Sequence, residues 1–263
     1  MKPSGKSDPS FKNHAARAAS GSAFAHGADN YDIVRPSYPA EITDLIPPKA
    51  TVLDVGAGTG KLTQLLAGEQ DARRTVYALD PSEDMVRTLK ANLPQISVWR
   101  ATAENTALFN ASVDCVTCAQ TWHWLDQEKA LTEADRIIRS DGRLVLVWNT
   151  LDVTHPWVLR LTRISHSGDV HREGFYPTIA PPWVLHEERR IKWVQMVTTD
   201  DLFRLARSRS YWLRASEATR AKVEANLTWY LFERLGFDPG DTIPLPYRTD
   251  AFCYMRDRTA CCM

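Results

Sequence analysis

Apolar runs alternate with helical patterns through the first 150 residues. Thr51-Val52-Leu53-Asp54-Val55 reads as a short buried strand. A helix starts at Lys61, with Leu62, Leu65 and Leu66 on one face. Thr75 to Asp80 is the second strand, and Glu83 to Asn92 a helix with Met85, Val86 and Leu89 turned inward. Ile96 to Trp99 is the third strand and Val113 to Ala119 the fourth. Gln127 to Ile138 reads as a helix, and Asp141-Gly142 as a turn into the fifth strand, Arg143 to Trp148. Strands and helices at this spacing form βαβ units around a parallel sheet. Right-handed crossovers then put helices on both faces.

The second half is less regular. Thr154 to Ile164 reads as a helix and His166 to Pro182 as a loop region containing Gly and Pro. Ile191, Trp193, Gln195 and Val197 alternate, which predicts a strand over Arg190 to Thr198. Thr199 to Ser210 and Glu217 to Leu235 are expected helices, Gly236 to Gly240 a turn, and Pro246 to Arg256 a closing strand. Residues 1–27 mix Lys, Ser, Asp, Asn and His with Ala. They are expected to be flexible and lack the apolar centre of a secretion signal.

Composition narrows the partners. The chain has 263 residues, with 32 Lys plus Arg against 32 Asp plus Glu. A formal charge of zero argues against a nucleic-acid partner, because phosphate binding draws on a basic surface. No stretch approaches the roughly 20 apolar residues of a membrane helix, so no membrane partner is expected. The five cysteines form no disulfide framework, which makes a reducing, cytoplasmic setting the expectation. Cys115-x-x-Cys118 has the spacing of a metal or redox pair, but it lies in an expected strand. Residues three apart there face opposite ways, so no metal is expected.

The chemistry centres on Asp54-Val55-Gly56-Ala57-Gly58-Thr59-Gly60, which joins the first strand to the first helix. Glycines suit a tight turn against which a ligand approaches the backbone. Asp80 ends the second strand, where a carboxylate can accept hydrogen bonds from two ribose hydroxyls. These features point to an adenosine-type cofactor across the carboxyl ends of the strands. Gly60-Lys61 fails the phosphate-loop pattern, because positions 55 and 62 are Val and Leu. The dinucleotide fingerprint fails too, since Lys61 stands where its third Gly belongs. Asp54 would repel a pyrophosphate but can accept from a cofactor ammonium group. Asp80, followed by Pro81, has a second reading as a helix N-cap.

The acidic-x-Gly-x-Gly-x-Gly pattern resembles motif I of class I S-adenosylmethionine-dependent methyltransferases. Ala78 to Val86 is similar to the family's second motif and Ala101 to Glu104 to its adenine-side segment. Val113-Asp114 and the stretch Ala119 to Asp126 resemble the fourth-strand motif of the type 11 small-molecule subgroup. Ile138 to Leu144, Tyr31 to Pro39, Ser208 to Tyr211 and Pro246 to Asp250 extend that resemblance over nearly the whole chain. It implies an α/β, Rossmann-like three-layer sandwich with a seven-stranded, mostly parallel sheet and an antiparallel last strand. It implies S-adenosylmethionine as cofactor. Gly56, Ala57, Gly58 and Gly60 would face its methionine part, Asp80 with Pro81 and Met85 the ribose side, Ala103 and Glu104 the adenine, and Gln120 the sulfonium. Residues 28–263 would form one methyltransferase domain, with 28–48 as an N-terminal lid and 151–240 as a substrate-covering insertion.

In-line methyl transfer requires an acceptor held close and water kept out. Trp122-His123-Trp124 follows the fourth strand, at the ligand-binding edge of such a sheet. An aromatic wall favours a sulfonium cation, and His123 is the nearest candidate base for a hydroxyl or amine acceptor. The other reading is that the aromatics pack the pocket while His123 only bonds the backbone. Tyr31, Arg35, Tyr38, Trp122, Trp124, Arg209 and Tyr211 are the candidate substrate residues. Arg204, Arg207, Arg209 and Arg214 read mainly as a solvated helix face, though Arg209 or Tyr211 can hold an acidic acceptor. Ala180-Pro181-Pro182-Trp183 departs from the Pro-Pro-aromatic motif of nucleic-acid amino methylation in its leading residue and its place after the fifth strand. A small-molecule methyltransferase is therefore expected. The alternatives are a macromolecular acceptor or a non-catalytic cofactor-binding module.

Overall fold

The computed structural model describes residues 35–68, 73–167 and 170–257. Its strands are β1 (Thr51–Val55), β2 (Thr75–Asp80), β3 (Ser97–Arg100), β4 (Val113–Ala119), β5 (Ile138–Leu151), β6 (Trp183–Thr198) and β7 (Thr242–Arg256). They form one sheet in the order β3-β2-β1-β4-β5-β7-β6. β1 runs parallel to β2 and β4, β2 to β3, and β4 to β5; the last strand is antiparallel. The order reverses between β1 and β4, which opens a crevice at their carboxyl ends.

The chain divides into two compact units. Among the described residues, one is drawn from Ser37–Trp148, Tyr176–Ile191 and Thr249 onward. The other is drawn from the residues up to Pro36, Asn149–Phe175 and Lys192–Arg248.

In the first unit the strands read as apolar runs because both sheet faces are covered. Val52, Val76, Ala78, Cys115 and Val145 pack with Leu62 and Leu66 of α1 (Lys61–Gly68) and Leu89 of α2 (Glu83–Asn92). Neighbouring strand residues turn the other way. Val55, Val116 and Cys118 lie with Ala130, Ala134 and Ile137 of α3 (Gln127–Ile137). Cys115 and Cys118 thus take opposite faces, as strand periodicity requires. Among the described residues no group of three or more His, Cys, Asp or Glu is arranged to hold a metal. No described helix is long and apolar enough to cross a membrane.

The expected turn at Asp141-Gly142 lies inside β5. Val113 pairs with Ile138, but Cys115 already pairs with Arg143, so four residues bulge out opposite Asp114. A Cβ on Gly142 would overlap Ile138 Cγ2 and lie 2.6 Å from the Asp114 carbonyl oxygen. The Asp114 carboxylate holds the bulge by accepting from the Thr51 N–H at 2.7 Å and from Arg139 at 2.6 Å. β6 also begins seven residues before the expected Arg190. Its first half carries Glu187-Glu188-Arg189-Arg190, which hides the strand from a hydrophobicity pattern. Such charges are tolerated because β6 is a sheet edge, and Arg190 meets the buried Asp250 at 3.3 Å.

The second unit has its own core. Leu151, Val158, Leu161, Leu202, Leu205, Leu227 and Leu231 are among its buried members. They come from β5, α4 (Pro156–Ile164), α5 (Thr199–Arg207) and α7 (Glu217–Thr228), among other elements. The expected helix over Thr199 to Ser210 stops at Arg207, because the Ser208 hydroxyl donates back to the Leu205 carbonyl at 2.8 Å. A short α6 (Ser210–Arg214) follows. The helix expected to reach Leu235 widens into a π-helical turn over Trp229–Arg234. Tyr230 and Leu231, adjacent in sequence, are both buried there.

Candidate functional site

The glycine turn sits where β1 leaves the sheet. Gly56, Gly58 and Gly60 have φ of 63°, 56° and 95°, the left-handed region that side chains resist. Gly56 is also crowded. A Cβ there would overlap Thr121 Cγ2 and lie 2.7 Å from Thr121 Oγ1. Thr121 follows β4, and its hydroxyl donates to the Gly56 carbonyl at 3.1 Å and the Ala119 carbonyl at 3.0 Å. Gly58 differs, since a Cβ there meets nothing within 4 Å. The turn is closed by the Ala57 N–H donating to Leu79 and the Gly60 N–H donating to Ala57.

Asp80 clasps this turn from the end of β2. One carboxylate oxygen accepts from the Gly58 N–H at 3.0 Å and the other from the Ser82 N–H at 2.8 Å. Burial raises its pKa, opposed by those two backbone bonds. The N-cap reading of Asp80 is corrected here. Ser82 is the cap of α2, its side chain accepting from the Met85 N–H, and Pro81 precedes the helix. Met85 is buried in the first turn.

Asp54 lies under the turn. Its carboxylate is sealed from solvent and accepts from Thr63 Oγ1 at 2.6 Å and Thr117 Oγ1 at 2.9 Å. Burial pushes its pKa from 3.8 to about 6, against the pull of the two threonines. The sequence expectation set Asp54 against a cofactor ammonium group; in the structure both oxygens are engaged by protein hydroxyls. Thr63 had a visible signal, being a polar residue on the apolar face of α1. Thr117 and Thr121 had none, because nothing in spacing ties β4 to the glycine turn.

The remaining expected residues fall into both units. Ala103 is buried, and Glu104 accepts from the Asp126 N–H at 3.0 Å, next to the capped start of α3. Gln120 has φ of 56° and donates its N–H to Val147. Trp122–Trp124 form a single 3-10 turn, with Trp122 and His123 buried. Trp148, which the pattern did not single out, donates its indole N–H to His123 Nδ1 at 3.3 Å. Tyr38 packs against the core of the same unit. In the other unit, Arg35 donates to the Ser208 carbonyl at 3.3 Å, beside the buried Arg209. Tyr211 stacks on His166 at 3.9 Å. Tyr31 lies outside the described residues.

The arrangement fits an adenosine-type group. A carboxylate ends β2, where a ribose diol has donors to give, and the turn leaves open space above Gly58 for close approach to the backbone.

Comparison with known proteins follows the same line. Residues 53–146 match a family model described as a methyltransferase domain. Over 229 residues the chain is 37% identical to an uncharacterized methyltransferase of Mycobacterium tuberculosis, covering 86% of this chain and 92% of that one. It is 30% identical over 248 residues to an uncharacterized methyltransferase-like protein of Schizosaccharomyces pombe, covering 85% and 91%. A solved structure from Anaeromyxobacter dehalogenans, described as a type II methyltransferase, shares the fold with a TM-score of 0.60. Its identity is 22%, over 84% of this chain and 97% of that one.

Proposed function

The chain belongs to the class I, S-adenosylmethionine-dependent methyltransferases, and on that premise we propose that it methylates a small-molecule acceptor. The observation that carries the proposal is the Asp80 clasp on the glycine turn, set at the point where the strand order reverses. Neutral overall charge supports a small acceptor over a nucleic acid.

When bound, S-adenosylmethionine supplies the electrophilic methyl group. Gly56, Ala57, Gly58 and Gly60 would hold its methionine part. Asp80 would accept from the ribose, with Pro81 and Met85 beside it. Ala103 and Glu104 would flank the adenine, and Gln120 the sulfonium end. Asp54 acts from beneath, setting the turn through Thr63 and Thr117. The chain's contribution to the reaction is positioning and exclusion of water. Trp122 and Trp124 would wall the cation, and Tyr31, Arg35, Tyr38, Arg209 and Tyr211 would serve the acceptor. Within a methyltransferase domain over 28–263, the segments 28–48 and 151–240 would supply acceptor specificity. The proposal includes a cytoplasmic setting, supported by the free, buried thiols of Cys115, Cys118 and Cys253.

The test has two stages. Calorimetry with S-adenosylmethionine is expected to show one site per chain; no binding to the folded protein overturns the reading. A metabolite extract incubated with methyl-labelled cofactor is then expected to yield a labelled small product. Label found only in RNA or protein overturns the small-molecule acceptor.

A further inference from the structure

We infer that the indole N–H of Trp122 is a cofactor-binding donor that bonds a ring nitrogen of the adenine. The inference rests on the functional reading above, since it adds a residue to the cofactor side of that site. Trp122 opens the 3-10 turn after β4 and is 4% exposed. Its Nε1 is buried and has no hydrogen-bond partner among the described residues. An indole nitrogen only donates, so folding has taken this N–H from water and given it no acceptor. Buried donors are as a rule paired, and an orphan beside a cavity calls for an acceptor from outside the chain.

Trp122 lines such a cavity, together with Val55, Ala103, Thr106, Cys118 and Leu125 among others. Val55 is the last residue of β1, directly before Gly56, and Ala103 follows β3. The cavity therefore reaches the carboxyl edge of the strands, beside the reversal between β1 and β4. Its side chains are mainly apolar. The Thr106 hydroxyl is already engaged, donating to Glu133 at 2.7 Å and accepting from the Leu108 N–H at 3.3 Å. The chemistry of this wall selects among the parts of S-adenosylmethionine. The carboxylate, ammonium and sulfonium carry charges that an apolar wall disfavours. The ribose diol has donors to give, which suits the Asp80 carboxylate and not a second donor. The adenine remains: flat, uncharged, and edged with ring nitrogens that accept. The face of the indole is what a cation meets, whereas the donor is at its edge, so one side chain can serve both ends of the cofactor.

Two measurements test this. The first is calorimetry of wild type and Trp122→Phe with S-adenosylhomocysteine and its 1-deaza, 3-deaza and 7-deaza adenine analogues. Each analogue replaces one ring nitrogen by C–H. In wild type one of the three is expected to bind about threefold to tenfold more weakly than the parent, the worth of one hydrogen bond. In Trp122→Phe that penalty is expected to vanish while the parent itself weakens by a similar factor. Penalties that are the same in both proteins for all three analogues overturn the inference. The second measurement needs no variant. In ¹⁵N-tryptophan-labelled wild type, the Trp122 indole proton, assigned through its own backbone, is expected to move downfield on saturation with S-adenosylhomocysteine. An indole resonance that stays in place on saturation overturns the inference, as it would if water already served the N–H. The same titrations separate the two failures. Binding with an unmoved indole overturns the role of Trp122, whereas no binding of S-adenosylmethionine or S-adenosylhomocysteine to folded wild type overturns the functional reading beneath it.

Discussion

Replacing Gly56 with Ala puts two separate strains on one position. The residue has φ of 63°, and holding a residue with a Cβ there costs roughly 1–2 kcal/mol. The new methyl would also overlap Thr121 Cγ2 and lie 2.7 Å from its Oγ1 and 2.9 Å from its Cβ. Thr121 cannot swing aside freely, because its hydroxyl bonds the carbonyls of Gly56 and Ala119. Overpacking of this kind costs about 1–3 kcal/mol. Gly56→Ala should therefore destabilise the protein by roughly 2–5 kcal/mol in urea unfolding followed by tryptophan fluorescence. A double-mutant cycle with Thr121→Gly separates the parts. It should return the crowding share as a coupling of about 1–3 kcal/mol, while the φ strain stays. Additivity of the two changes within about 0.5 kcal/mol would refute crowding as the cause. A single-variant loss below about 1 kcal/mol would refute the strained turn altogether.

Asp54→Asn should stabilise the protein at neutral pH. The folded carboxyl titrates at about 6 against an ordinary 3.8, so folding favours the proton and stability falls as pH rises through that window. Asn carries no charge, so its advantage should open between pH 4 and 6 and reach roughly 3 kcal/mol above it. An equal difference at pH 4 and pH 7 in denaturant titrations would contradict this. Glu133 behaves oppositely. Hydrogen bonds from Arg136, together with those from Thr106, hold its pKa down from 4.5 to about 2. Its contribution is present above pH 4.5 and lost as pH falls toward 2. Glu133→Gln should flatten that acid limb, and an unchanged acid titration would count against the ion pair. Asp80→Ala should weaken S-adenosylmethionine binding by about 1–3 kcal/mol in calorimetry, the worth of charge-assisted hydrogen bonds. An unaltered affinity would remove Asp80 from the ribose.

Periodicity alone determined the first four strands of the sheet and the three helices that cover them. β1 to β4 and the first three helices stand within a residue or so of their expected bounds, since each buries a run or stripe that water rejects. The glycine turn and Asp80 were equally legible, because tight backbone approach and strand-end carboxylates are local demands. Legibility failed where a residue answers to something distant in the chain. The bulge in β5 exists because Asp114 holds Thr51 and Arg139. The charged half of β6 is a strand because an edge tolerates charge and Asp250 meets Arg190. Gly56 is held to glycine partly by Thr121, 65 residues away. Asp54 was found by sequence, but its solvent-sealed place between Thr63 and Thr117 was not. The same holds for His123. Its place after β4 is written in the chain, whereas its bond from Trp148 of β5 is set by tertiary structure. Hydrogen bonds between side chains distant in sequence leave no period in that sequence, so only the folded chain decides them.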